Sequence, residues 1–383
     1  MPDEWNHVEQ TPQPESALDL ELLQREVGQR FPFYDMRLGG NTVVFFVRID
    51  EFTLEEKFDA LRLTLREKGY IPMLRYEQGE HHIYVIKKPI IKKKPLWINY
   101  ILLIATLCTT ALAGAYQWVE IDNARIGAYG ADFVESLIRS VEPYYLVQGF
   151  LFFSIPLMLI LGIHEMGHYY ASKKHQVDAS LPYFIPLPPP FILGTFGALI
   201  STREPIPNRK ALLDIGVAGP LCGFLVAIPV TLIGFFLLQQ SPVIIPTEVA
   251  SGTIMNPLLL QWMEGLFSIP NNALIHPTLF AGWVGIFLTA VNLLPVGQLD
   301  GGHVSRAVLK DKHKYASWVV IIILIALGLF YTGWFIFAFF ILFMIGTQHQ
   351  PPLNEYTPLD TRRKLLALCI LVIFIVSFAP FPF

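Results

Sequence analysis

Six stretches of the 383-residue chain contain no Asp, Glu, Lys or Arg, and they constrain the fold more than any other feature. These stretches are residues 95–119, 143–163, 215–247, 265–299, 315–354 and 365–383. A helix needs about 20 apolar residues to cross the hydrocarbon core of a bilayer, and most of the stretches are long enough. Only 15% of the residues are charged, against about 25% in soluble domains. The sequence therefore predicts a multi-pass membrane protein with an all-α core.

The residues before the first apolar stretch have a different character. Residues 1–17 are rich in Pro and Glu and are predicted to form a disordered tail. Residues 18–90 combine amphipathic helical patterns with a β-branched run at 42–47, which predicts a small α+β domain. Residues 95–383 then form the membrane domain. We expect six or seven spanning helices there, the first over about 97–117, and a helical hairpin over 317–347 that breaks near Tyr331.

Clusters of Lys and Arg determine the expected orientation of the helices. They occur at 87–94, 173–174, 203–210, 306–314 and 362–364. Basic residues collect on the cytosolic side of membrane proteins, and a hairpin over 317–347 brings all five clusters to that side. The N-terminal domain is therefore predicted to be cytosolic, with membrane lipid around the core. A net charge of −3 gives no case for binding nucleic acid.

The second apolar helix contains an H-E-x-x-H motif formed by His164, Glu165 and His168. Two imidazoles at positions i and i+4 lie on one face of a helix and can share a tetrahedral zinc ion. Glu165 can then act as a base toward a water molecule at the metal. Polar groups within a spanning helix are costly unless a metal, partners or a water-filled cavity satisfy them. The motif thus predicts one Zn²⁺ per chain.

A catalytic zinc site needs a third protein ligand, and the segment after the fourth helix offers two candidates. Asp300 and His303 both lie near the depth of the H-E-x-x-H motif, and spacing does not choose between them. Asn292 lies near the middle of the membrane. It either donates a hydrogen bond to a substrate carbonyl or oxyanion, or forms a hydrogen bond that packs two helices together.

Residues 182–202 are apolar but contain too many Pro and Gly residues for a spanning helix. Non-helical backbone at membrane depth must be buried in protein or line a cavity, so we expect a re-entrant loop over the metal. An extended edge here could pair with an unwound substrate, with Gly194, Phe196 and Gly197 as candidate contacts. The alternative is an interfacial loop that only packs.

The order and context of these motifs resemble the site-2 proteases, the intramembrane zinc metalloproteases of peptidase family M50. The resemblance rests on His164-Glu165-x-x-His168 followed by Asn292-Leu-Leu-Pro295-x-x-x-Leu299-Asp300-Gly301, and it covers about 145–310. A GTFGA segment at 194–198 is similar to the archaeal, cyanobacterial and chloroplast branch.

This resemblance implies ligands at His164, His168 and Asp300, a base at Glu165 and an active-site Asn292. It also implies transmembrane proteins as substrates, and we expect the cell membrane of a prokaryote.

Two other classes of function remain as alternatives. A non-catalytic relative that binds membrane proteins would lack a ligand or the base, and none of the four is missing. A metal transporter would carry ionisable residues at several depths, whereas most of the apolar stretches have almost none. The sequence leaves the oligomeric state open.

Overall fold

The structure is a computed structural model that describes residues 18–89, 93–129, 131–246, 256–270 and 272–379. The predicted tail at 1–17 lies outside these residues. The chain divides between Ile90 and Ile91 into two compact units, an N-terminal unit and a larger helical unit.

The N-terminal unit is a four-stranded antiparallel sheet with two helices. Its elements are α1 (Leu20–Gly28), β1 (Phe33–Gly39), β2 (Thr42–Val47), α2 (Leu54–Glu67), β3 (Tyr70–Glu77) and β4 (Glu80–Lys87). The strand order is β1-β2-β4-β3, and Val43 pairs with Val85 at its centre. Val43 and Phe45 of β2 and Ile83 and Val85 of β4 are fully buried, as are Leu23 of α1 and Leu61 of α2. The predicted α+β character of this region is confirmed.

The larger unit consists mainly of helices. They are α3 (Trp97–Arg125), α4 (Phe133–Ser140), α5 (Pro143–Gly149), α6 (Ile155–Lys174), α7 (Arg209–Gln240), α8 (Leu258–Glu264), α9 (Pro277–Asn292), α10 (Asp300–Leu309), α11 (His313–Gly328), α12 (Gly333–Phe340) and α13 (Thr361–Ser377). A π-helical turn at Phe150–Ser154 joins α5 to α6, and a second one at Ile341–Ile345 extends α12.

Three helical segments are long and apolar enough to cross a membrane, namely Trp97–Arg125, Pro143–Lys174 and Arg209–Gln240. Pro277–Asn292 and Gly333–Ile345 are shorter apolar helices. Large apolar side chains such as Ile104 and Ile336 are more than half exposed on the outer surface. A soluble protein rarely exposes extended apolar surface, so these helices indicate a membrane protein.

The structure differs from the sequence prediction at the end of the first spanning helix and within residues 182–202. Helix α3 continues to Arg125, beyond the predicted end near residue 117. Its last turns are held by polar contacts, because Arg139 donates to Asn123 at 2.6 Å and Tyr145 donates to Asp122 at 3.2 Å. The region 182–202 contains a short antiparallel hairpin of β5 (Tyr183–Pro186) and β6 (Thr195–Leu199).

Helix α7 packs against both α6 and α9, and this arrangement builds the centre of the helical unit. Close approach of the helices depends on glycine. A side chain at Gly167 of α6 would lie 2.6 Å from the carbonyl of Ala218, and one at Gly282 of α9 would meet Thr231 at 2.3 Å. Small residues allow helix backbones to approach closely in membrane proteins.

Candidate metal centre

Three predicted ligands from two distant parts of the chain meet between α6 and α10. The Nε2 atoms of His164 and His168 lie 3.2 Å apart. Each lies 3.3 Å from a different carboxylate oxygen of Asp300. The two imidazole nitrogens and the carboxylate group of Asp300 therefore form a compact triangle of donor groups.

The size of this triangle fits Zn²⁺. Ligands about 2.0–2.1 Å from a tetrahedral zinc ion are about 3.3–3.4 Å from one another. The observed separations of 3.2 and 3.3 Å agree with that geometry. Two neutral imidazoles and a carboxylate also form a donor set that zinc prefers, with a fourth position left for water or substrate.

Asp300 reaches the histidines because the chain stops being helical before it. Helix α9 ends at Asn292, and α10 begins at Asp300. Pro295 and Gly297 lie between them, and Gly297 has a φ of +48°. A continued α-helix would have carried Asp300 away along its axis, so the predicted break positions the carboxylate.

The orientation of His168 is set by a backbone carbonyl. Its Nδ1 lies 2.8 Å from the carbonyl oxygen of Ile215 on α7. A carbonyl only accepts hydrogen bonds, so Nδ1 carries the proton and the lone pair of Nε2 faces the metal position. Metal-binding histidines usually have such a partner, which fixes the tautomer and the ring orientation.

Two glycines of α7 leave space for the imidazoles, and sequence reasoning did not identify them. A Cβ at Gly219 would lie 2.0 Å from Nε2 of His168, and one at Gly223 would lie 3.0 Å from His164. Their spacing is the G-x-x-x-G pattern within an apolar segment, which marks a close helix contact. That pattern was the available signal, although it does not reveal which side chains occupy the space.

Glu165 and Asn292 are the two side chains other than the ligands that the sequence predicts to act at the centre. Glu165 neighbours His164 and is 8% exposed. Asn292 is the last residue of α9 and is half-buried. Neither side chain hydrogen-bonds to another residue in the part of the chain that the structure describes. Both are therefore free to interact with water or a substrate.

His303, the competing ligand, points elsewhere. Its Nδ1 lies 3.0 Å from the Leu299 carbonyl, and its ring packs edge-on against His349 with centroids 4.5 Å apart. It is not part of the three-residue group that could hold a metal.

The β5–β6 hairpin contains the three predicted substrate contacts, and they differ in their surroundings. Gly194 packs on α3, where its carbonyl accepts a 2.6 Å hydrogen bond from Thr109. Phe196 is exposed, and Gly197 has a φ of +96° with open space around its Cα. Among the described residues β6 pairs only with β5, which leaves its other edge open.

The apolar helices and the buried group of two histidines and one aspartate, with a glutamate beside it, have the features of a metal centre within a membrane protein. Residues 152–331 match the model of peptidase family M50, so this part of the chain is similar to that family.

The chain is similar to curated plant proteins that are named probable chloroplastic zinc metalloproteases. It is 31% identical to EGY1 of Arabidopsis thaliana over 63% of this chain and 46% of the relative. It is 30% identical to EGY1 of Oryza sativa subsp. japonica over 59% of this chain and 39% of the relative. The chain thus spans less than half the length of these relatives. No solved structure matches it significantly.

Proposed function

We propose that the protein is an intramembrane zinc metalloprotease that hydrolyses peptide bonds in or near the transmembrane helices of other membrane proteins. The observation that carries the proposal is the zinc-sized donor triangle of His164, His168 and Asp300 beside an unpaired, buried Glu165. The names of the plant relatives support the same activity.

In this proposal His164, His168 and Asp300 hold one Zn²⁺. When bound, the metal would activate a water molecule and polarise the scissile carbonyl. His168 keeps its lone pair directed to the metal because Ile215 accepts its other ring proton.

Glu165 is the proposed general base. It would accept a proton from the attacking water and deliver it to the leaving amine nitrogen. Its position next to His164 and its lack of a competing hydrogen bond in the described residues support this role. Asn292 would donate its amide hydrogen to the oxygen that gains negative charge during attack.

The hairpin β5–β6 is the proposed contact for an extended stretch of substrate. A peptide bond in a helix is shielded by the surrounding backbone, so cleavage requires local unwinding. The open edge of β6 offers backbone groups to such a strand, and Phe196 and Gly197 lie on it. Gly194 would contribute by holding the hairpin on α3 through Thr109.

The finer membrane arrangement is part of the proposal. We propose six or seven spans over residues 95–383, with lipid around them and a catalytic core at about 145–310. Residues 18–90 would form a domain in the cytosol, and the membrane would be the cell membrane of a prokaryote. The basic clusters between the spans support this orientation.

Glu165→Gln tests the chemistry. We expect cleavage of a transmembrane substrate in proteoliposomes to fall at least about 100-fold, because a general base contributes about 10²- to 10⁴-fold. Zinc content should stay at one per chain, since the three ligands are intact. The matched control is Glu135→Gln on the exposed helix α4. Cleavage by the Glu165→Gln variant at the wild-type rate would refute the mechanism.

Asn292→Ala tests the role of the amide. If Asn292 stabilises the transition state, kcat should fall about 10²- to 10³-fold with little change in thermal stability. A helix-packing role would instead lower the melting temperature and leave kcat close to wild type. The two readings are separated by measuring both quantities on the same reconstituted protein.

A further inference from the structure

The carboxylate of Asp214 on α7 is held by two other elements. Nε of Arg363 donates to Oδ1 at 2.8 Å and Nη2 donates to Oδ2 at 2.6 Å. Nε2 of His175 lies 2.8 Å from Oδ2. A guanidinium bonded to a carboxylate through two parallel hydrogen bonds fixes the orientation of both groups. This cluster therefore joins α7 to α13 and to the C-terminal cap of α6.

Asp214 immediately precedes Ile215, whose carbonyl accepts the hydrogen bond from His168. Helix α6 is thus bonded to the same turn of α7 at two heights, through His168 and through His175. These two histidines are seven residues apart, which is about two helical turns, so they lie on one face of α6. The hydrogen bond that orients His168 and the charged cluster therefore involve adjacent residues of α7, Ile215 and Asp214.

The first turns of α7 need such support. Pro220 lies inside this helix and provides no amide for the carbonyl of Gly216, which interrupts the hydrogen-bond ladder. The backbone of α7 therefore holds residues 209–219 less firmly at this point, and their contacts with other helices help to fix where Ile215 lies. The cluster at Asp214 is a charge-assisted contact of this segment.

We infer that Asp214, held by Arg363 and His175, is a positioning residue that orients His168 through the carbonyl of Ile215. The inference rests on the proposed zinc site at His164, His168 and Asp300. It extends the support of that site to α13, which lies beyond the residues that match family M50.

The test measures metal binding rather than proteolysis. The reconstituted full chain and its Asp214→Asn and Arg363→Gln variants are titrated with Zn²⁺ against a chelator. Partners of metal ligands typically contribute about 10- to 100-fold to affinity, and a group one step further away should contribute about 3- to 10-fold. The absorption spectrum of bound Co²⁺, which depends on ligand geometry, should change in both variants. The control is Arg362→Gln, the exposed neighbour of Arg363 on α13, which should match wild type.

Two further variants separate positioning from general stability. Because Arg363 acts through Asp214, the double variant should weaken zinc binding no more than Asp214→Asn alone. Arg363→Lys keeps the charge but loses the paired hydrogen bonds, so it should fold and still show a changed Co²⁺ spectrum.

Wild-type affinity and spectrum in the Asp214 and Arg363 variants would overturn the inference, as would an equal effect of Arg362→Gln or additive effects in the double variant. If the wild-type protein binds no zinc, the proposed function fails first and this inference fails with it.

Discussion

At the scale of single residues, the candidate centre depends on groups that restrain the ligands as much as on the ligands themselves. His168 has its tautomer set by Ile215 and its space set by Gly219. An imidazole free to rotate would spend part of its time with the wrong nitrogen toward the metal. The backbone carbonyl and the missing side chain remove that freedom, so His168 is held in the orientation that a metal ligand would need.

Gly219→Ala is expected to weaken zinc binding at least about tenfold, a loss typical of damage to the groups around a metal ligand. The new methyl group would lie 2.0 Å from Nε2 of His168, and the Ile215 hydrogen bond prevents the ring from moving away without cost. Metal content after dialysis, measured by mass spectrometry, checks the prediction.

The matched control is Gly162→Ala on α6, where a Cβ meets nothing within 4 Å. Alanine is favoured over glycine in a helix by about 1 kcal/mol, so this variant should retain its zinc and unfold at a slightly higher temperature. Equal zinc loss in both variants would contradict the steric explanation.

At the scale of secondary structure, the interruptions between helices position the site residues as much as the helices themselves. The end of α9 at Asn292 and the start of α10 at Asp300 direct a carboxylate into the centre of the unit. The Pro-rich region 182–202 forms a hairpin because it can satisfy its backbone groups by pairing Tyr183 with Leu199. Irregular backbone in such a protein requires this kind of internal partner.

Helices α1 and α2 of the N-terminal unit are linked by Glu26, which predicts a pH dependence. Hydrogen bonds from Lys68 and then from Arg30 lower the pKa of the Glu26 carboxyl from 4.5 to about 2. A carboxyl whose pKa is lowered by folding stabilises the folded state above its unfolded pKa. This contribution should therefore be complete above about pH 4.5 and should be lost as the pH falls toward 2.

Hydrogen exchange on the full chain can measure this dependence. The protection of amides in α1 and α2, corrected for intrinsic exchange, should decrease below pH 4.5 in the wild-type protein. In Glu26→Gln the protection should be lower at neutral pH and should depend less on pH. Glu21→Gln, an exposed position on the same helix, should behave like wild type. An unchanged profile in Glu26→Gln would show that the Lys68 contact contributes nothing.

At the scale of the whole molecule, the chain combines a unit with a conventional apolar core and a unit whose apolar side chains also cover its outside. Leu61 and Phe45 of the first unit are almost fully buried, whereas Ile104 and Ile336 of the second are exposed. The two units therefore suit two solvents, water and lipid. Charged side chains are costly within lipid, which is the physical reason that the basic residues of the second unit lie outside the apolar stretches.

Labelling of single cysteines should reveal on which side of the membrane α4 and the N-terminal unit lie. In a background with Cys108, Cys222 and Cys369 changed to Ala, Glu135→Cys should react with a membrane-impermeant maleimide in intact cells. Glu67→Cys on α2 should react only after the membrane is opened, because the N-terminal unit is predicted to be cytosolic. Both positions are exposed in the structure. The reverse pattern would refute the predicted topology and leave the metal centre unaffected.

Many of the helices and strands were predictable because they depend on the local pattern of apolar and polar residues in the sequence. The apolar stretches predicted the long helices, and the β-branched run at 42–47 predicted β2. The predicted break near Tyr331 lies between the end of α11 and the start of α12. The exact extent of α3 was not predictable, since its last turns depend on contacts from Arg139 and Tyr145. The hairpin within 182–202 was missed for the same reason, because a strand needs a partner.

By itself, the sequence determined that the chain has long apolar helices and that two imidazoles and a glutamate share one turn of the second. Those features follow from helical periodicity and from the cost of polar groups in an apolar segment. Spacing did not choose between Asp300 and His303, and the family resemblance implied Asp300. The tertiary structure placed Asp300 beside these imidazoles, whereas His303 packs against His349. It alone brought Ile215 and Gly219 to His168 and Arg363 to Asp214. The contacts of His168 with Ile215 and of Asp214 with Arg363 join residues 47 and 149 positions apart, and only the packing of α6, α7 and α13 against one another creates them.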